Sequence, residues 1–276
     1  MTHGKVLLVL AFHFLFSTSS LAQTYEQWVE RGIAAAKADS LRQAETCFRR
    51  ALSLAPTDYR NALVYTNLAK VQEAQGLPLK AIDSYGRALA ITPLNVTMLG
   101  ARASLYFQLG NYTKALLDYE KIIDVDAHNV DALRGCAFIH QQRQDYAKAQ
   151  IFYERLMAIV PQDYSAQLGM AILLQREGKA GEAMTRLSAL IGQYPERAEL
   201  YAVRAEIEAE QNQLELAVLD LDKAIELEPE NRNMILTRAY IHKDRKDFHQ
   251  ARRDFERAIT LGIPRSSLKR ELKECK

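Results

Sequence analysis

Apolar positions along this chain recur at helical spacing, in short runs that stop and restart. Leu133, Cys136, Ala137 and His140 fall at i, i+3, i+4 and i+7, which lays one apolar stripe along a helix. The polar stretch "QRQD" then breaks the pattern, and Tyr146, Ala149, Tyr153 and Leu156 open a second stripe. A proline closes many such pairs. It cannot continue a helix interior, so it ends one pair and sets up the next. The unit this pattern predicts is a helix-turn-helix hairpin.

The unit repeats. "RALSLAPTD" at 50–58, "RALAITPLN" at 87–95, "RLMAIVPQD" at 155–163 and "KAIELEPEN" at 223–231 are versions of one phrase. "KIIDVDAHN" from Lys121 and "RAITLGIPR" from Arg257 are more worn copies. Pro161, Pro195 and Pro229 stand 34 residues apart, and Pro93 to Pro161 is two such periods with Ala127 in the middle. Pro56 to Pro93 is one period plus three residues. A period held this well signals a stacked array and excludes low-complexity drift.

These residues resemble the tetratricopeptide repeat family, in which small and large residues recur at set positions. The first unit shows Trp28, Gly32, Ala44, Phe48, Ala51 and Pro56, and the second Tyr65, Leu68, Ala69, Gly76, Ala81, Tyr85, Ala88 and Pro93. The same series continues through Ala103, Gly110, Ala115 and Tyr119, then Ala171, Gly178 and Ala183, then Ala205, Ala217 and Leu221, then Ala239, Ala251 and Phe255. Seven units follow: 25–58, 62–95, 96–129, 130–163, 164–197, 198–231 and 232–265, with Tyr59, Arg60 and Asn61 inserted after the first. The resemblance implies an all-α, right-handed superhelical solenoid. Arg31, Arg204 and Arg238 depart from it, standing where a leucine is usual, and the third and seventh units lack the closing proline. Alanine and glycine let paired helices approach closely, aromatics fill the space between hairpins, and no hairpin buries its apolar face alone.

The ends read differently. Residues 1–22 have the form of a signal peptide: Lys5, an apolar run over 6–16 that is too short to span a membrane, and small residues before a cleavage point after Ala22. An uncleaved anchor is the alternative. The protein is expected to be exported, to the periplasm or beyond. The leader and all-repeat body resemble periplasmic repeat proteins of Gram-negative bacteria, the Bacteroides group in particular. Residues 266–276 read as a capping helix, with Leu268, Leu272 and Cys275 on one side. Cys47 and Cys136 lie three units apart, at least about 25 Å at the usual helix spacing, which is too far for a disulfide. All three cysteines read as small apolar residues, with an intermolecular bridge through Cys275 as the alternative.

Candidate chemistry is thin. His3 and His13 fall in the leader, His140 and His242 stand at the position of Tyr106, and His128 and His249 lie near turns. No metal-ligand spacing, phosphate-binding glycine loop or nucleophile cluster stands out, so no enzyme and no cofactor is expected. The formal charge of 36 − 34 = +2, or +1 without Lys5, makes no case for nucleic acid. The charge is uneven, however. Residues 198–231 hold ten acidic and two basic residues, and residues 232–276 hold thirteen basic and six acidic. The plain reading is that these charges are solvated and steady the interface between the last two units.

In the family the resemblance points to, the first helix of each hairpin lines a concave groove. Candidate groove residues on that basis are Asn67, Lys70, Ser104, Phe107, Arg134, Phe138, Ile172, Glu199, Glu206 and Glu210. Gly135 and Gly169 leave room on this face, Phe107, Phe138 and Ile172 offer apolar anchors, and the three glutamates form an acidic strip suited to a basic segment. Asn67 resembles the asparagine with which peptide-binding members hold a ligand backbone. Thr97 and Ala101 replace the basic residues of the carboxylate clamp, so capture of a C-terminal carboxylate is not expected. The expectation is a protein- or peptide-binding scaffold of undetermined oligomeric state with no membrane span after leader cleavage. The alternative is a structural subunit of an envelope assembly or secretion complex, docking through its convex face or ends.

Overall fold

A computed structural model describes residues 20–275, so most of the expected leader lies outside the described residues. The described chain is all helical and divides into two compact units, one up to Arg143 and one from Gln144. The first unit holds α1 (Ser20–Lys37), α2 (Leu41–Leu54), α3 (Asn61–Ala74), α4 (Pro78–Ile91), α5 (Val96–Gln108), α6 (Tyr112–Val125) and α7 (Val130–Gln142). The second holds α8 (Tyr146–Ile159), α9 (Tyr164–Arg176), α10 (Ala180–Gln193), α11 (Ala198–Glu210), α12 (Leu214–Leu227), α13 (Arg232–Asp244) and α14 (Phe248–Thr260). A 3-10 turn at Arg265–Leu268 then leads into α15 (Lys269–Glu274). Within each unit the helices pair as hairpins, α1 with α2, α3 with α4 and α5 with α6 in the first, and α9 with α10, α11 with α12 and α13 with α14 in the second. This fits about seven repeats.

The recurring phrase is the joint between hairpins. Its apolar half ends a second helix, and in four copies its final Asn or Asp caps the next first helix. The side chains of Asn95, Asn129 and Asp163 accept hydrogen bonds from the backbone N–H three residues on, at 3.0, 3.1 and 2.9 Å. Asn231 does the same to Met234 at 3.3 Å. Each satisfies an amide that the first turn of a helix otherwise leaves without a partner.

Within hairpins the close contacts are made by alanine. Ala44, Ala81, Ala115, Ala149, Ala183, Ala217 and Ala251, one per second helix, are all wholly buried. Ala69, Ala103, Ala137, Ala171, Ala205 and Ala239 on the first helices are buried too. Phe48, Tyr85, Tyr119, Tyr153, Leu187, Leu221 and Phe255 fill the space these small residues open. Each large side chain contributes about 1.5–3 kcal/mol of burial. At the C-terminal end Leu268, Leu272 and Cys275 close over Ala239, Ala251 and Phe255. All three cysteines are buried and unbridged, and burial raises the Cys275 thiol.

The three-residue insertion is built into the first unit. Asn61 opens α3, fully buried, accepting from the Tyr25 hydroxyl at 3.0 Å and donating to the Ala55 carbonyl at 2.6 Å. Arg60 pairs with Asp58 and Glu26 and lies over the Tyr25 ring, 5.0 Å from its centre. The insertion therefore ties the first hairpin to the second.

The turn inside each hairpin needs one residue in the left-handed region. Gly76, Gly110 and Gly178 take it with φ between 71° and 74°. At the equivalent position the other repeats force Asp39, Gln144, Asn212 and Lys246 to φ of 57–63°. A side chain there pays steric strain that glycine avoids. Lys246→Gly is expected to raise stability by about 0.5–1 kcal/mol and Gly178→Ala to lower it by about 1 kcal/mol. Urea midpoints with unchanged slope would show it; a Lys246→Gly variant less stable than the parent would refute the strain argument.

Candidate functional site

In the first unit, α3, α5 and α7 carry six of the residues singled out above. Phe107 of α5 and Phe138 of α7 meet, with ring centres 5.2 Å apart and planes tilted by 57°. Tyr112 packs on the other side of Phe107, at 5.4 Å. All three rings are half-buried, so they make an apolar patch that solvent still reaches. Beside it, Arg134 is held by Asp131 at 2.7 Å, and Ser104 is exposed and accepts from Gln108 at 3.5 Å. On α3, Lys70 is half-buried, whereas Asn67 is 7% exposed and presents little of its amide to solvent.

Gly135 and Gly169 do not leave the room expected of them. A Cβ at Gly135 would lie 2.5 Å from the Tyr119 ring, and one at Gly169 would lie 2.2 Å from Tyr153. Each glycine is the hole for the aromatic knob of the preceding second helix. The space is real but filled from within.

In the second unit, Ile172 of α9 is half-buried. The acidic strip of α11 is partly engaged by α9: the Tyr164 hydroxyl donates to Glu199, and Gln175 Nε2 donates to Glu210 Oε1 at 3.0 Å. Arg197 lies 5.1 Å from the centre of the Tyr164 ring, and Tyr194 packs edge-on against it. Glu206 stands between the two engaged carboxylates, exposed and with no hydrogen bond among the described residues. Surrounding protein raises its carboxyl above the usual range. Repulsion from Glu210 adds to this and attraction from Arg176 opposes it. The strip therefore presents one open carboxylate flanked by two pre-engaged ones. It is suited to electrostatic binding.

The arginines in leucine positions have a role that the repeat pattern alone did not show. Arg204 grips Asp220 of α12 through two hydrogen bonds of 2.6 and 2.7 Å. Arg238 grips Asp254 of α14 at 2.7 and 2.8 Å and also reaches back to Asp222 of α12 at 2.6 Å. Arg102, not noticed as a departure, grips Asp118 at 2.8 Å twice. The signal was there: an aspartate sixteen residues after each of the three arginines. Arg31 lacks such a partner and stacks on Trp28 instead, at 5.3 Å.

Glu208 was also missed. It is 5% exposed, one of its carboxyl oxygens has no hydrogen-bond partner, and it lies near the Arg204–Asp220 pair. Burial, reinforced by Asp220 and opposed by Arg204, lifts its pKa from 4.5 to about 7. His140 and His242, at the equivalent position of their repeats, are buried, and burial lowers the His242 pKa. Among the described residues no three His, Cys, Asp or Glu side chains are arranged to hold a metal ion, and no helix is long and apolar enough to cross a membrane.

Capped helical hairpins packed through alanine positions, with variable first-helix faces, define a helical-repeat scaffold fold. Family models described as tetratricopeptide repeat match residues 29–96, 106–165, 142–207 and 198–231. The chain belongs to the tetratricopeptide repeat family. It is similar to a tetratricopeptide repeat protein of Parabacteroides merdae: 28% identity and a TM-score of 0.72, covering 92% of this chain and 99% of that one. It also shares its fold with YrrB, titled a TPR protein with an unusual peptide-binding site, at 22% identity and TM-score 0.54 over 67% and 93% of the two chains. MamA is a third, at 17% identity and TM-score 0.56 over 64% and 96%. No curated protein matches the chain.

Two predictions follow from the packing. Gly169→Ala is expected to cost about 1–3 kcal/mol by driving the Tyr153 ring from its hole; a thermal unfolding curve like that of the parent would show the ring can give way freely. Glu208 gains affinity for its proton on folding, so its ionised form opposes the fold. Its contribution to stability is fully present below pH 4.5 and is lost as pH rises through about 7. Glu208→Gln is thus expected to be more stable than the parent at pH 8 and close to it at pH 4.5. An equal difference at both pH values would mean that Glu208 does not titrate in this way.

Proposed function

We propose that this protein is a non-enzymatic scaffold that holds a protein or peptide segment against the first-helix face of its repeats. The observation that carries the reading is the Phe107–Phe138 pair: two aromatic rings from successive first helices, touching each other and still open to solvent. Side chains of this kind are the usual anchors of protein interfaces. Glu206, exposed between two engaged carboxylates, adds a preference for a basic segment. The peptide-binding description of YrrB supports the same direction. We further propose that the chain works outside the cytoplasm, in a bacterial periplasm or beyond it, on the strength of the leader pattern in residues 1–22. The similar Parabacteroides merdae protein fits a bacterial source.

The test is capture from envelope extract by residues 23–276, beside a Phe107→Ala, Phe138→Ala, Glu206→Lys variant checked for equal helicity. A partner retained by the first and lost by the second is expected. Equal capture by both would remove the first-helix face from the function.

A further inference from the structure

The outer surface of the first unit is built differently from its first-helix face. Three recesses follow one another along α4. One of about 470 Å³ lies between α2 and α4, over α3, with Leu52, Tyr65 and Leu79 as its apolar wall. A second, of about 780 Å³, shares Lys80 with it and extends to Leu41, Arg42 and Leu77. A third, of about 520 Å³, shares Leu79 and Arg87 and extends to Ile82, Ala90 and Tyr106. None of the three contains a first-helix candidate named above. Leu79, at the junction of two of them, is 72% exposed.

Charge on this surface is locally one-sided. Arg49 is neutralised by Glu45 at 2.8 Å and Arg87 by Asp83 at 2.9 Å, which consumes the carboxylates of α2 and α4. Arg42 and Lys80, which line the second recess, are exposed, and their side chains have no ion pair or hydrogen bond among the described residues. Asp39, at the far end of the second recess, is the exception in sign. A trough with an apolar wall and unpaired cations along its rims complements a helix that is apolar on one side and acidic on the flanks. Nucleic acid fits less well, because the cations are interrupted by the leucines and by the neutralised pairs.

We propose that the trough between α2 and α4 docks an acidic amphipathic helix of a partner protein, with Leu79 as the apolar contact and Arg42 and Lys80 as the charged ones. This site is independent of the first-helix reading. The two can fail separately.

The test uses the full chain and a labelled helical peptide with Leu at i, i+3, i+4 and i+7 and Glu elsewhere, followed by fluorescence anisotropy. Binding is expected to weaken as salt rises. It should fall at least about tenfold in an Arg42→Glu, Lys80→Glu variant and again in Leu79→Ser, and be unchanged in Phe107→Ala, Phe138→Ala. The proposal is overturned if the Glu peptide does not bind, or if a Lys version binds equally well. It is also overturned if the aromatic variant loses binding while the charge-reversal variant keeps it. Concentration-dependent self-association that the charge reversal abolishes would name a second copy as the occupant and overturn it too, as would tighter binding of a single-stranded oligonucleotide than of the Glu peptide.

Discussion

Everything in this molecule depends on how closely two helices of a hairpin can approach. An alanine at one fixed place on each second helix, wholly buried in all seven, sets that distance. Once the axes are close, each hairpin still has a face it cannot cover alone, and the aromatic or leucine that follows four residues later must find cover in the next hairpin. Tyr119 and Tyr153 do so by occupying the places where Gly135 and Gly169 lack side chains. The knob and its hole are sixteen residues apart, in different hairpins. The repeat is thus a repeat of interfaces, and the 34-residue period is the distance along the chain from one interface to the next.

Polar residues enter this stack only under strict terms. A bidentate arginine–aspartate pair can replace leucine packing because both planar groups are satisfied edge to edge, which offsets part of the desolvation that burial imposes. The replacement is less forgiving than leucine. Arg238 serves two hairpins at once through Asp254 and Asp222, so removing it would leave charges without their partner in both. Glu208 breaks the terms, with a carboxyl oxygen unmatched and Arg204 already committed to Asp220. The equivalent site in the second repeat shows the neutral solution, where Gln72 and Ser84 are hydrogen bonded at 2.7 Å.

These distinctions mark how far the sequence could be read. Helices, turns and caps depend on neighbours within four residues or on a strict period, so the hairpins and the family were legible from the phrase and its spacing. Partnerships between helices were not. Glu199 and Glu210 looked open because the groups that engage them, Tyr164 and Gln175, lie a full repeat earlier, on α9. Gly135 and Gly169 looked like vacancies because the rings that fill them belong to the preceding hairpin. Arg102 passed unnoticed beside its better-marked relatives, although Asp118 stands at the same sixteen-residue offset.

The same logic separates charge that holds the protein together from charge a partner can use. The imbalance between the last two repeats is the largest in the chain, yet much of it is spent internally. Asp222 and Glu215 are met by Arg238 and Arg245, Lys243 by Glu274, and Arg257 donates to the Pro229 carbonyl at 2.6 Å. A partner approaching there would have to compete with bonds already made. Arg42, Arg50, Lys80 and Glu206 are in the opposite position: exposed, and free of such bonds among the described residues. Net charge per repeat is therefore a poor guide to where this protein is recognised. The better guide is which charges the stack has left over.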